Sequence, residues 1–167
     1  MKILKTFIIA IAIVCLFPVS SLAEHSVGFA AGSTRGLGAT YRYLPDPGDV
    51  SPWGWQVTGL PLITKTDGVV SLGAGALYLL HRGELAMAYA SFGVGTLFSW
   101  SNCTDNSDTF CEDESNWGGG LGPGLGFELR AVDNLGWSVE IPLAIMFADG
   151  EFYGMYPVPN TSLVYHW

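Results

Sequence analysis

Few residues of this chain could do acid–base or nucleophilic chemistry. It has three histidines, His25, His81 and His166, and an enzyme would need one of them beside a nucleophile and an orienting acid. Ser162 and His166 share a strand face, but a spacing of four along a strand holds them about 13 Å apart, too far for a hydrogen bond. No catalysis is expected. The polar residues in an unusual setting are Arg42, Gln56, Glu128, Arg130 and Glu140, which sit on a side of their segments otherwise built from glycine and other small residues. Two arginines against two glutamates form a balanced set, and buried charges persist when paired and hydrogen-bonded. The expected chemistry is therefore electrostatic filling of a narrow interior, with a narrow channel using the same charges as the alternative.

The segments that must position these residues alternate with a period of two. From Gly118 to Ala131 the odd positions read Leu121, Pro123, Leu125, Phe127 and Leu129, while the even ones read mostly glycine, then Glu128 and Arg130. After the turn signal Asp133-Asn134, Trp137, Val139, Ile141, Leu143, Ile145 and Phe147 oppose Ser138, Glu140, Pro142, Ala144 and Met146. Leu37, Ala39, Tyr41 and Tyr43 likewise oppose Gly38, Thr40 and Arg42. A soluble sandwich would pack the apolar face as its core and charge the other well; here the second face is glycine with sparse charge. A transmembrane barrel accounts for this, because lipid takes the large side chains, a narrow lumen takes the small ones, and closure satisfies the backbone. Only 13 % of residues are charged, against 49 % apolar, about half the charge of an ordinary soluble domain.

Strand-like segments run near 26–33, 35–44, 53–64, 68–81, 84–100, 117–131, 135–148 and 152–167. They predict an all-β, eight-stranded antiparallel up-and-down transmembrane β-barrel. Ser33-Thr34-Arg35-Gly36 is either a tight turn or the middle of one long strand, in which case 151–167 must supply two short ones. A helical hairpin over 68–100 is the rival, opposed by glycines at 73, 75, 93 and 95, each costly in a helix. Pro61, Pro123 and Pro142 fall inside strands, and each requires a bulge or a register break.

The chain opens with Lys2 and Lys5, an apolar run from Thr6 to Phe17, Pro18 and the small-residue site Ser21-Leu22-Ala23, the pattern of a secretory signal peptide over 1–23. Cys15 is a poor lipoprotein site, since bulky Val14 precedes it. Residues 24–167 then form one domain beginning at Glu24, with five basic against fifteen acidic residues, which argues against nucleic acid as a partner. Export into an oxidising compartment, and a separation of seven residues, predict a disulfide between Cys103 and Cys111. No histidine accompanies them at metal-ligand spacing, so neither a metal nor another cofactor is expected. They lie in the long loop 101–116 with Asp105, Asp108, Glu112, Asp113 and Glu114, which reads as a solvated acidic loop because the glycine and terminal glutamate of a helix-loop-helix calcium site are missing.

The last residues, Leu163, Val164, Tyr165, His166 and Trp167, alternate and end on an aromatic. In this, and in the pattern of the whole domain, the chain resembles the outer-membrane β-barrel proteins of Gram-negative bacteria, most of all the small eight-stranded type. Their last strand closes with a C-terminal aromatic read by the barrel-assembly machinery; Phe is usual where Trp167 stands. The resemblance implies an integral outer-membrane protein with membrane lipid and that machinery as partners, Tyr165 and Trp167 as the assembly signal, and a structural or surface-interaction role, with a narrow channel and, after it, a lipid-modifying enzyme as the alternatives. It names no external partner. His166 is expected at the periplasmic interface.

Overall fold

The structure is a computed structural model that describes residues 24–46, 51–101, 114–132 and 134–167. The expected signal peptide, Cys103, Cys111 and most of the long acidic loop lie outside these residues. Nine antiparallel strands are formed: β1 Glu24–Gly32, β2 Gly36–Leu44, β3 Trp53–Ile63, β4 Asp67–Arg82, β5 Ala86–Ser101, β6 Glu114–Val132, β7 Leu135–Ala148, β8 Glu151–Pro157 and β9 Asn160–His166. Each pairs with its sequence neighbour up to β7. Two short strands, β8 and β9, then both pair with β7, at opposite ends of it, and β9 pairs with β1. They act as one barrel strand interrupted at Val158 and Pro159, so the molecule is a closed eight-stranded antiparallel barrel. Both sequence options thus hold in part: 33–35 is a turn, and 151–167 is split.

Alternation decides the two faces. Even-numbered residues of β1, β2, β3, β6, β7 and β9 turn inward and pair in register with odd-numbered residues of β4 and β5. Outside lie Phe29, Leu72, Phe92, Leu125, Phe127 and Ile141, each about half exposed or more. Inside, Arg42, Gln56 and Glu128 are at most 2 % exposed. Aromatic rings gather at the end where β1 begins and β9 finishes, where His25, Tyr41, Tyr43, Trp55 and Trp167 lie with centroids 5.3–6.2 Å apart. At the opposite end Asp149 and Gly150 join β7 to β8 with φ of 51° and 87°, the two left-handed residues of a type I′ hairpin, whose twist matches that of the strands.

The prolines find the breaks they need. Pro61 lies beyond the last β2–β3 pair, Ala39 with Gly59, so it is bonded on its β4 side only. Between the pairs Leu121–Ile145 and Gly124–Pro142 the β6–β7 ladder leaves Gly122 and Pro123 without partners. The unbonded side of Pro142 meets the interruption between β8 and β9, where the Val158 amide donates to its carbonyl at 3.3 Å.

One side of the barrel wall is low. Strands β1 and β2 have nine residues each, against 16, 16 and 19 for β4, β5 and β6. Above them the end of β3 and all of β8 keep one edge unpaired within the sheet. The β1–β2 turn folds into the lumen and rests on glycines of the far wall. A Cβ on Gly73 would lie 1.9 Å from the Arg35 carbonyl oxygen, one on Gly93 2.4 Å from that of Thr34, and one on Gly95 2.6 Å from the Gly36 amide nitrogen. Only glycine permits this approach. The amide of Leu37 ties the turn to β4 by donating to Ser71 Oγ at 2.8 Å.

Candidate functional site

The lumen below the turn is filled by two layers of charge. In the upper layer, Arg42 projects inward from β2, and its Nε donates to Gln56 Oε1 at 3.0 Å from the adjacent β3. Its Nη1 pairs with the Glu128 carboxylate across the barrel, and its Nη2 donates to Ser162 Oγ at 3.0 Å. Arg35, delivered by the inserted turn, donates from Nη1 to the same Gln56 oxygen at 2.9 Å, and from Nε to Glu140 Oε2 at 3.0 Å. Asn160 Nδ2 bridges Glu140 Oε1 and Thr34 Oγ1 at 3.0 and 2.8 Å. The Tyr89 ring faces both guanidinium groups, 6.0 Å from Arg35 and 5.8 Å from Arg42, a cation–π arrangement.

The lower layer centres on Glu24. Its carboxylate pairs with Arg82, accepts from Arg130 Nη2 at 2.8 Å, and lies 2.6 Å from His166 Nδ1. The other ring nitrogen of His166 is 2.9 Å from Glu128 Oε1, so Glu128 joins the layers. Beside them Leu44, Leu77, Met87 and Tyr89 form the buried apolar cluster. All four arginines of the chain, Arg35, Arg42, Arg82 and Arg130, are thus inside the barrel and paired with three glutamates. Such pairs are retained because separating one partner strands a charge in low dielectric, at about 3–5 kcal/mol.

Of the residues singled out in the sequence, Arg42, Gln56 and Glu140 meet in the upper layer, Glu128 spans both, and Arg130 belongs to the lower. Tyr165 and Trp167 face outward. The backbone of Trp167 completes closure, its amide donating to the His25 carbonyl at 2.9 Å. His166 departs from expectation: it is 3 % exposed within the lumen and not at the interface, because the even residues of β9 turn inward. Ser162, its companion on that face, has its hydroxyl engaged by Arg42 and by Ser138 at 2.5 Å.

Glu24, Arg35, Arg82 and Asn160 were missed. Parity could have revealed Glu24 and Asn160, which continue the small-residue faces of β1 and β9. Arg82 turns inward only because Leu80 is an extra residue in the β4–β5 ladder, reversing the alternation. No periodicity marks Arg35, which sits in a turn.

Chemically the site is a tethered ionic plug. The space left among Arg35, Arg42, Gln56, Tyr89, Glu140 and Ser162 is about 10 Å³, at most one water. Among the described residues, no three His, Cys, Asp or Glu side chains converge on a metal position.

No protein-family model matches the chain, and no curated protein matches it in sequence. Solved structures do. The N-terminal β-barrel domain of OprF from Pseudomonas aeruginosa is similar with a TM-score of 0.51 at 12 % identity, over 87 % of this chain and 96 % of that one. The attachment invasion locus protein Ail of Yersinia pestis gives 0.48 at 15 % identity, over 87 % and 97 %. The Neisserial surface protein A gives 0.33 at 14 % identity, over 86 % and 91 %. The chain has the fold of the small eight-stranded outer-membrane β-barrels.

Proposed function

We propose that this chain is an integral outer-membrane protein whose barrel does not conduct, and that it serves as a rigid anchor presenting its loops at the cell surface for interaction. The observation that carries this reading is the double layer of arginine–glutamate pairs, which leaves about 10 Å³ at the middle of the lumen. Eight strands enclose an interior only wide enough for side chains, and here those side chains are tied to one another across it. The apolar outer face supports placement in lipid, and the closing strand with Tyr165 and Trp167 supports delivery by the barrel-assembly machinery. The acidic stretch 102–113 is the longest run of sequence between two strands and is the segment this reading assigns to outside contact, and no step of this role calls for catalysis. The test is reconstitution in planar bilayers. The wild-type protein should show no discrete conductance, and discrete channels that shift when Arg42 or Glu128 is neutralised would overturn the reading in favour of a narrow pore.

A further inference from the structure

Above the ionic plug the barrel is hollow. A cavity of about 350 Å³ lies on the far side of the inserted turn, floored by Ser33 and Gly36 and walled by Ser71, Leu97, Gly118 and Met146. That volume is within the ~300–1,000 Å³ range of small-molecule sites. Its lining differs in kind from the layers below, for no charged residue touches it. The Ser71 hydroxyl is already used, accepting from the Leu37 amide and donating to the Thr96 carbonyl at 3.0 Å. What the cavity offers an occupant is therefore mostly carbon.

The lining of the cavity is also uneven around the barrel. Its walls come from β4, β5, β6 and β7, and neither β3 nor β8 contributes to it. Those two strands are the posts of the low stretch of wall above β1 and β2. The sill of that notch is Leu37, which lines the inner cavity and also an apolar groove of about 580 Å³ whose lining includes Phe29, Leu60 and Leu163. Phe29, Leu37 and Leu163 belong to the outward apolar face. A continuous apolar path thus runs from that outer face over Leu37 into the barrel.

We infer that this cavity takes a single hydrocarbon chain, the acyl tail of a lipid of the surrounding leaflet, which enters sideways over Leu37 and leaves its polar headgroup at the notch. An anion or a sugar would meet no charge there and, among the lining side chains, one hydroxyl without a partner, that of Ser33, whereas a methylene chain finds in the cavity the apolar surroundings it has in the bilayer and gives up no hydrogen bond on entering. The inference rests on the membrane placement proposed above.

The experiment reconstitutes the full-length mature protein in phosphatidylglycerol–phosphatidylcholine vesicles containing a phospholipid with a diazirine at the end of one acyl chain. After photolysis, adducts are mapped by mass spectrometry. Tails should label the inward-facing Leu97 and Met146 in addition to the outward-facing Leu125 and Phe127. Gly118→Phe should abolish the inner adducts and spare the outer ones. A Cβ at Gly118 would lie 3.4 Å from the Phe147 carbonyl oxygen and 3.8 Å from Ala148 Cβ, so the variant fills the cavity without disturbing backbone, and heat-modifiable mobility checks that it folds. Outer adducts alone would overturn the inference and leave membrane placement intact. Absence of both sets would overturn the placement and the inference with it. Inner adducts obtained only with a diazirine fatty acid added from the aqueous side would overturn the lateral lipid source and assign the cavity to a free hydrocarbon chain from outside.

Discussion

Replacing Gly73 by alanine tests the inserted turn with a single methyl group. The added Cβ would sit 1.9 Å from the Arg35 carbonyl oxygen and 2.3 Å from its carbonyl carbon. Both are backbone atoms, so no flexible side chain can yield, and the turn must retreat by roughly 1 Å, an overpacking cost of about 1–3 kcal/mol. Retreat also pulls Arg35 from Gln56 and Glu140, whose bonds at 2.9 and 3.0 Å have little slack, and a Glu140 left without its cation adds up to about 3–5 kcal/mol. Gly59→Ala is the control. Its Cβ would meet Leu72 Cδ2 at 3.7 Å, an ordinary contact, so it should be neutral or stabilise by up to about 1 kcal/mol through the unfolded state. Urea unfolding in lipid vesicles, followed by heat-modifiable mobility, should place Gly73→Ala well below wild type and Gly59→Ala at or above it. Because Gly73→Ala and Glu140→Gln disrupt one interaction, their combination should cost less than the sum. Equal midpoints for Gly73→Ala and Gly59→Ala would show that the turn does not rest on β4, and the account of the plug would fail.

Replacing Leu125 or Phe127 by Arg should cost about 2–4 kcal/mol near the bilayer midplane, whereas Ala should be mild because lipid fills the space; severe alanine variants in the same assay would mean these residues form a core. Glu128→Ala should cost about 3–5 kcal/mol by stranding Arg42, and the double change Glu128→Leu with Arg42→Met should recover much of it; a double variant as weak as the single would refute the pairing. With Cys103 and Cys111 replaced by serine, a cysteine at Thr66 should react with an impermeant maleimide on intact cells and one at Glu84 only after permeabilisation, and the reverse pattern would invert the topology. Non-reduced wild-type protein should show the two-proton mass deficit of a Cys103–Cys111 disulfide, with free thiols as the contrary result.

What the sequence determined by itself was sidedness. A strand turns alternate side chains to opposite faces, so the parity of Leu121 to Leu129 against Glu128 and Arg130, or of Tyr41 and Tyr43 against Arg42, follows from local geometry and needs no knowledge of neighbours. Eight such segments with turn residues between them were enough for an antiparallel barrel, since no other arrangement leaves glycine and sparse charge on the enclosed face. Tertiary structure decided height and meeting. Which inward residues touch depends on hydrogen-bond register and on the stagger of the closed sheet, and these set Arg42 beside Gln56 and opposite Glu128. Single-residue irregularities cannot be seen in a period of two, so the extra Leu80 that turns Arg82 inward was hidden. So was the descent of the Ser33–Gly36 turn into the lumen, because the glycines that receive it lie on β4 and β5, some forty to sixty residues farther along the chain, and become one shelf only when the barrel closes.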